Sequence, residues 1–284
     1  RDPTSWLATD RENADLNPDD TLWGMVDKKE LIIFGRESTE FWYYDGGAAF
    51  PFAPVPNGYF EIGIMSEYGS GKVGNANFFM GSDGVAYELV GYSPKRISTH
   101  AIEQDIKSYT QSCKCFSWVE SGHAFIGWKF DEGMVIYDLS TQLWHKRQTY
   151  NKDTWNITSI AKAYDGYFTA GSTIGKLTPD TFTEYGDVLR WVCASAAIYD
   201  RNSLLPHNKL ELIFETGVGN ADVMLRFSDD GGRTWSNEKI ATLGAIGEFA
   251  HRVIYNRLGS SRDRVYEVSI ADPYRRTLIN ANLN

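Results

Sequence analysis

Apolar residues along the chain gather in short strand-like runs, and no helical apolar stripe longer than about three turns appears. The runs include Glu30 to Phe34, Glu40 to Tyr44, Ala76 to Met80, Val85 to Val90, Ala124 to Phe130, Met134 to Asp138 and Tyr167 to Ala170. They continue with Leu210 to Glu215, Val223 to Ser228, Ala250 to Asn256 and Arg264 to Ala271. Turn-forming phrases separate them: Ser82-Asp83-Gly84, Asp131-Glu132-Gly133, Asp165-Gly166 and Asp229-Asp230-Gly231-Gly232. Helix is expected only in two short pieces, Asp10 to Leu16 and Ala101 to Ile106. Closely spaced strands with hairpin turns predict an all-β protein built as a sandwich, barrel or propeller.

A loose repeat narrows that choice. Leu31-Ile32-Ile33-Phe34-Gly35 leads to Glu40-Phe41-Trp42-Tyr43-Tyr44-Asp45, and Asn77-Phe78-Phe79-Met80-Gly81 leads to Gly84-Val85-Ala86-Tyr87-Glu88-Leu89. His123-Ala124-Phe125-Ile126-Gly127 leads to Met134-Val135-Ile136-Tyr137-Asp138, and Tyr167-Phe168-Thr169-Ala170-Gly171 leads to Ile174-Gly175-Lys176-Leu177. The units start about 45 residues apart, the spacing of propeller blades. A plain meander of hairpins would give similar strands, but a period held over four units favours blades. In the third unit Trp144 is suited to packing between blades. After about Leu189 the repeat is lost and longer strands take over. Residues 1–188 are therefore expected to form propeller-like blades. Residues 189–284 are expected to form a C-terminal β unit, either sandwich-like or a final blade.

Composition agrees with this reading. Of 284 residues, 42% are hydrophobic and 14% aromatic, with 26 glycines; aromatic residues suit a pleated, half-buried surface and glycine suits tight turns. No segment approaches the roughly 20 apolar residues that span a bilayer. The net charge of -9 comes from 37 acidic against 28 basic side chains. Affinity for the nucleic-acid backbone comes from Lys and Arg displacing counterions, so tight DNA binding is not expected. The densest basic clusters are the pairs Arg262 with Arg264, Arg275 with Arg276, and Lys146 with Arg147. Cys113, Cys115 and Cys193 are too few for a disulfide framework and read as reduced thiols. Cys113 and Cys115 would share one face of a strand, but a CxC without a second ligand pair is a weak metal signal, and packing is expected instead.

One phrase is specific. Ser228-Asp229-Asp230-Gly231-Gly232-Arg233-Thr234-Trp235 matches the Asp-box, S-x-D-x-G-x-T-W, at every fixed position: Ser228, Asp230, Gly232, Thr234 and Trp235. Glycine permits the tight reversal, and the Asp230 carboxylate can accept backbone N–H groups across the turn. Trp235 is expected to pack beneath the hairpin. The motif predicts a structure, not a chemistry. A sialidase-like glycosidase would need an arginine cluster and a Tyr nucleophile supported by Glu; only one Asp-box is present and the early arginine motif of that family is not recognisable. His100, His123, His145, His207 and His251 show no metal-ligand spacing. Ser98, His100 and Glu103 lie close in sequence without a G-x-S-x-G elbow, so Arg96 to Glu103 reads as a structural corner or an interface. Gly69-Ser70-Gly71-Lys72 lacks the spacing of a phosphate loop, and Val73 stands where that loop has Ser or Thr. No catalytic, cofactor or metal residue is assigned.

Several phrases in order resemble the packaged-DNA stabilisation proteins of short-tailed phages, the tail accessory or tail-hub family. They are Asn17-Pro18-Asp19-Asp20, Ile33-Phe34-Gly35 with Thr39-Glu40, Phe50-Pro51-Phe52, Arg96 to Glu103, Glu120-Ser121-Gly122-His123, and Tyr137-Asp138 with Trp144-His145-Lys146-Arg147. Towards the C-terminus come Ser228 to Trp235, Gly244 with Gly247-Glu248, Arg257-Leu258-Gly259 and Arg262-Asp263-Arg264-Val265. Asn151 to Tyr185 matches poorly, and Cys113-Lys114-Cys115 replaces a more polar stretch. Family members are longer at the N-terminus, so the chain, which starts at Arg1, is expected to begin partway in. The resemblance implies a non-enzymatic protein of the virion tail, assembled in the bacterial host cytoplasm. Its copies would form a ring below the portal after packaging, close the channel, and carry the tail needle and fibres or spikes until ejection. Neither a membrane nor a cofactor is implied. The alternative is a carbohydrate-binding or sialidase-like Asp-box propeller, recognisable by a groove lined with exposed Trp and Tyr.

Overall fold

The computed structural model describes residues 18–46 and 50–284; the helix expected over Asp10 to Leu16 lies outside the described residues. The chain forms two compact units, residues 1–178 and 179–284. The division falls about ten residues before the one expected at Leu189, because the short hairpin over residues 183–188 groups with the second unit.

Four antiparallel meanders make up the first unit. The first sheet contains Thr21–Asp27 (β1), Glu30–Gly35 (β2), Thr39–Tyr44 (β3) and Phe52–Phe60 (β4). The second contains Ser70–Val73 (β5), Ala76–Met80 (β6), Ala86–Val90 (β7) and Ser93–Arg96 (β8), followed by the helix His100–Lys107 (α1). The third contains Lys114–Glu120 (β9), His123–Lys129 (β10), Met134–Asp138 (β11) and Leu143–Lys146 (β12). The fourth has three strands, Ser159–Ala163 (β13), Gly166–Ala170 (β14) and Ile174–Lys176 (β15). Strands pair in sequence order within every sheet. Each repeat read from the sequence is the second and third strand of one sheet, and α1 extends the helix expected over Ala101 to Ile106 by one residue at each end. Among the described residues, no strand pairing joins one sheet to the next.

Blades pack because their middle strands are apolar on both faces. Successive side chains of a strand point to opposite faces, so Phe78 and Met80 of β6 enter a core shared with the third sheet, while Phe79 enters a core shared with the first. On β11, Val135 joins the second-to-third core, and Met134 and Ile136 join Phe116, Trp118 and Trp155 between the third and fourth sheets. Burial of side chains this large contributes about 1.5–3 kcal/mol each. Polar links fix the spacing. The Trp128 indole donates to Gly69 O at 2.8 Å, the Trp144 indole to Ile97 O at 3.1 Å and Lys129 Nζ to Ile157 O at 2.6 Å. Trp144 also stacks on Trp128 at 6.0 Å, between the second and third sheets. Ile102 and Ile106 of α1 close the same core.

The second unit begins with Thr183–Glu184 (β16) and Asp187–Val188 (β17), a small hairpin, then Trp191–Ala194 (β18), Ile198–Tyr199 (β19), Leu205–Pro206 (β20) and Lys209–Phe214 (β21). It continues with Asp222–Ser228 (β22), Lys239–Thr242 (β23), Val253–Asn256 (β24), Ser260–Ser261 (β25), Asp263–Ile270 (β26) and Leu278–Leu283 (β27). One sheet runs β18-β26-β22-β23 with β19 also on β26, another runs β24-β21-β27, and β20 pairs β25. Leu210, Leu212 and Phe214 from one sheet meet Val223, Leu225, Tyr266, Val268 and Ile270 from the other in a single buried core. That arrangement is a sandwich.

Candidate functional site: the Asp-box turn and the charged pairs around it

The Asp-box closes the end of β22. Gly231 and Gly232 take positive φ, 74° and 91°, where a side chain would be strained. The reversal brings Thr234 back over Asp230. Asp230 Oδ1 accepts from the backbone N–H of Arg233 and of Thr234, each at 2.9 Å. Asp230 Oδ2 accepts from Thr234 N at 3.0 Å and from Thr234 Oγ1 at 2.6 Å. Ser228 Oγ donates to Asp230 Oδ1 at 2.7 Å and accepts from Gly232 N at 2.8 Å. The Thr234 hydroxyl and N–H, then the Ser228 hydroxyl, hold the Asp230 carboxyl far below the ordinary carboxylate range. With that carboxylate ionised at neutral pH and its oxygens engaged inside the turn, the residue is poorly suited to proton transfer.

Trp235 is half-buried, with its ring edge against Gly232 of the turn, where a Cβ would lie 3.7 Å from it, and with the Arg226 guanidinium 4.5 Å from its ring centroid. Arg226 in turn pairs with Glu267 at 2.7 Å. One feature differs from the sequence expectation: Arg264, read from sequence as part of a basic pair. It is only 2% exposed and lies in the interior. Its guanidinium makes a two-pronged bond to Asp229, at 2.6 and 2.7 Å, donates to Leu258 O at 2.6 Å, and sits 4.0 Å over the Phe227 ring. Asp229, the variable second position of the Asp-box, thereby ties the turn to β26. The only hint in the sequence is that this variable position carries an acidic residue.

The other basic pairs are similarly engaged. Arg276 donates to the carbonyls of Leu189 and Asp272, and Arg275 pairs with Glu215 at 3.2 Å. Lys146 pairs with Asp105 at 2.7 Å. Arg147 lies over the rings of Trp118, Trp155 and Phe125, at 5.0, 5.3 and 5.7 Å.

Ser98, His100 and Glu103 form a corner. Ser98 Oγ donates to Glu103 Oε1 at 2.7 Å, and Arg96 donates to both carboxylate oxygens. Burial pushes the Glu103 carboxyl up, but the bonds from Ser98 and Arg96 outweigh it and leave it below the ordinary range. His100 stands out in solvent, and the serine hydrogen bonds the glutamate, not the histidine, so no nucleophile–base pair forms. His123 Nδ1 lies 2.7 Å from Asp138 Oδ2, which also accepts from Thr141 Oγ1. Burial, then the Arg147 charge, lowers His145 to about 4.

Cys113 precedes β9, so it does not share a strand face with Cys115. Its thiol is buried beside Ser66 Oγ and pushed up to about 12 by burial. Lys72 of the glycine-rich phrase sits in β5 and pairs with Asp27. Among the described residues, no group of three or more His, Cys, Asp or Glu is placed to hold a metal, and no helix is long and apolar enough to cross a membrane.

Comparison with known proteins gives three results. Structural likeness is faint: a computationally designed protein, Ika4, has a TM-score of 0.33 at 10% identity, over 57% of this chain and 92% of that one. An exo-β-1,3-galactanase from Phanerochaete chrysosporium has a TM-score of 0.30 at 7% identity, over 92% and 80%. PorZ of Porphyromonas gingivalis has 0.31 at 12% identity, over 78% and 28%. Scores this low carry no functional argument. Among curated proteins, nothing matches. Family comparison is decisive: residues 1–182 match the family described as "Bacteriophage P22 Gp10, beta-propeller", and residues 190–284 match "Bacteriophage P22 Gp10, beta-sandwich". With blades followed by a sandwich in the same order, the chain belongs to the bacteriophage P22 Gp10 family of phage structural proteins.

Proposed function

We propose that the protein is a hub or plug of a short-tailed phage tail. Copies attach below the portal after packaging, retain the genome, and support the tail needle and the fibres or spikes. The observation that carries this reading is the match to both family domains, in order, along nearly the whole chain. The fold suits the role. Blades locked by two-sided cores and a sandwich stapled by Asp229–Arg264 are stiff bodies able to present fixed surfaces for assembly. Charge suits it as well: a net -9 and basic side chains committed to internal partners favour DNA that slides past over DNA that is gripped. On this reading the Asp-box is structural and no reaction is catalysed. The test is to incubate the full chain with purified portal rings of its own phage and image the product by cryo-electron microscopy. A ring of copies beneath the portal is expected. Failure to associate, with binding to a host polysaccharide instead, would replace this reading with the carbohydrate-binding one.

A further inference from the structure

The loop between β23 and β24, residues 243–252, is braced yet exposes two large apolar side chains. Gly247 N donates to Gly217 O at 3.0 Å, Thr216 Oγ1 to Phe249 O at 2.9 Å, and Ala245 N to Glu248 Oε2 at 3.0 Å. His251 Nε2 lies 2.9 Å from Thr242 O. The Phe249 ring rests against Gly217, where a Cβ would come within 2.5 Å of it. Despite these ties, Phe249 is 77% and Ile246 76% exposed, with the Glu248 carboxylate between them in sequence. A loop fixed this way cannot fold its apolar residues inward, and an ordered apolar knob binds with little loss of conformational freedom.

In residues 1–178 there is an open hollow of about 410 Å³. Leu22, Met65, Tyr68 and Cys113 give it apolar surface, and Arg36 and Lys114 give it two cations against the one carboxylate of Glu67. Arg36 is held only loosely, by an exposed pair with Asp20 at 3.5 Å. The hollow has room for a Phe and an Ile side chain, and Lys114, which has no carboxylate partner among the described residues, complements Glu248.

We propose that Ile246 and Phe249 of one copy seat in this hollow of the next copy, with Glu248 facing Arg36 and Lys114. The inference rests on the tail-hub reading, and it names the contact by which the copies join. Knob and hollow are different surfaces, so the contact is heterologous and propagates head to tail, the kind that closes into rings. Burial of an aromatic and an aliphatic side chain in a partly apolar pocket supplies the central anchor that such interfaces use.

The test places a benzophenone amino acid at position 249 of the full chain, mixes isotope-labelled and unlabelled copies, assembles them on portal rings and irradiates. Cross-links between copies to residues 22, 65–68 and 112–114 are expected. In parallel, Lys114→Glu should lower ring occupancy at least tenfold, and Glu248→Lys added to it should restore it. Glu248→Gln, whose side-chain oxygen can still accept from Ala245 N, should lower occupancy while the circular dichroism matches the parent. Cross-links confined to one copy, or only to the portal, overturn the contact while leaving the hub reading intact, as does a charge swap that restores nothing. If the unmodified chain never joins the portal, the hub reading fails and takes this contact with it.

Discussion

Asp230 and Asp229 are neighbours with opposite energetics. The backbone donors that Asp230 satisfies lie at the surface, where water can take the place of the carboxylate on truncation. Asp230→Ala should therefore lower the melting temperature through loss of the turn. Because the folded pKa lies below the free aspartate value of 3.8, the carboxylate stabilises the fold above about pH 4 and loses that effect as the pH falls further. The melting-temperature gap between wild type and Asp230→Ala should be constant from pH 8 to 5 and narrow below 4; a gap that persists unchanged at pH 2 would mean another cause. Asp229→Ala removes the partner of a guanidinium taken out of water. That should cost about 3 kcal/mol in urea unfolding, because an uncompensated buried charge is left behind. Arg264→Met added to it should recover part of the loss, and no recovery would show that the pair does not act by charge.

Between blades, energy is concentrated in a few aromatic side chains. Trp128 is fully buried, stacks on Trp144 and donates to Gly69 O. Trp128→Ala should cost about 3–5 kcal/mol, chiefly through the cavity left behind, since Gly69 O keeps its bond from Met80 N. Loss of the urea transition's cooperativity is the further sign to look for, since one interface between blades would yield before the others. His145 gives the third sheet a pH response of opposite cause to that of the carboxylates. Its folded value, about 4, lies below the free value of 6.5, so the unfolded chain takes up a proton that the native chain refuses. Stability should fall as the pH drops from 6.5 towards 4, and His145→Gln should flatten that slope. A slope that His145→Gln leaves untouched would assign the response elsewhere, His207 being the next residue held neutral by burial.

At the scale of the whole molecule, charge is distributed unevenly. Residues 1–178 carry 23 acidic against 16 basic side chains, and residues 179–284 carry 14 against 12. The acidity belongs mainly to the blades. With the basic pairs engaged by carboxylates, carbonyls and rings, the full chain should bind duplex DNA weakly or not at all near physiological salt, as read by gel shift. Sub-micromolar affinity that falls steeply with salt would show that released cations converge on phosphate. Binding to portal rings should resist salt better, since screening weakens the charge contribution and leaves the apolar one.

The all-β class, the four-fold repeat and the hairpin of the Asp-box are legible in the order of residues alone. Each of these is written in local terms: alternation of apolar residues, glycine where φ must be positive, and a spacing of about 45 residues that survives any tertiary arrangement. The middle strands were legible because both of their faces are apolar; the outer strands β4, β8 and β12 were not, because Pro54, Pro94 and the polar residues around them carry no such pattern. The role of the charged residues depends on the folded arrangement. Arg264 reads as half of a basic cluster until Asp229, 35 positions away, is seen to bind it, and nothing in the sequence around Arg226 says that its guanidinium lies 4.5 Å from the Trp235 ring centroid. A charge has no periodicity that reveals its partner, and whether it is solvated, buried or paired depends on what the fold brings within a few ångströms of it.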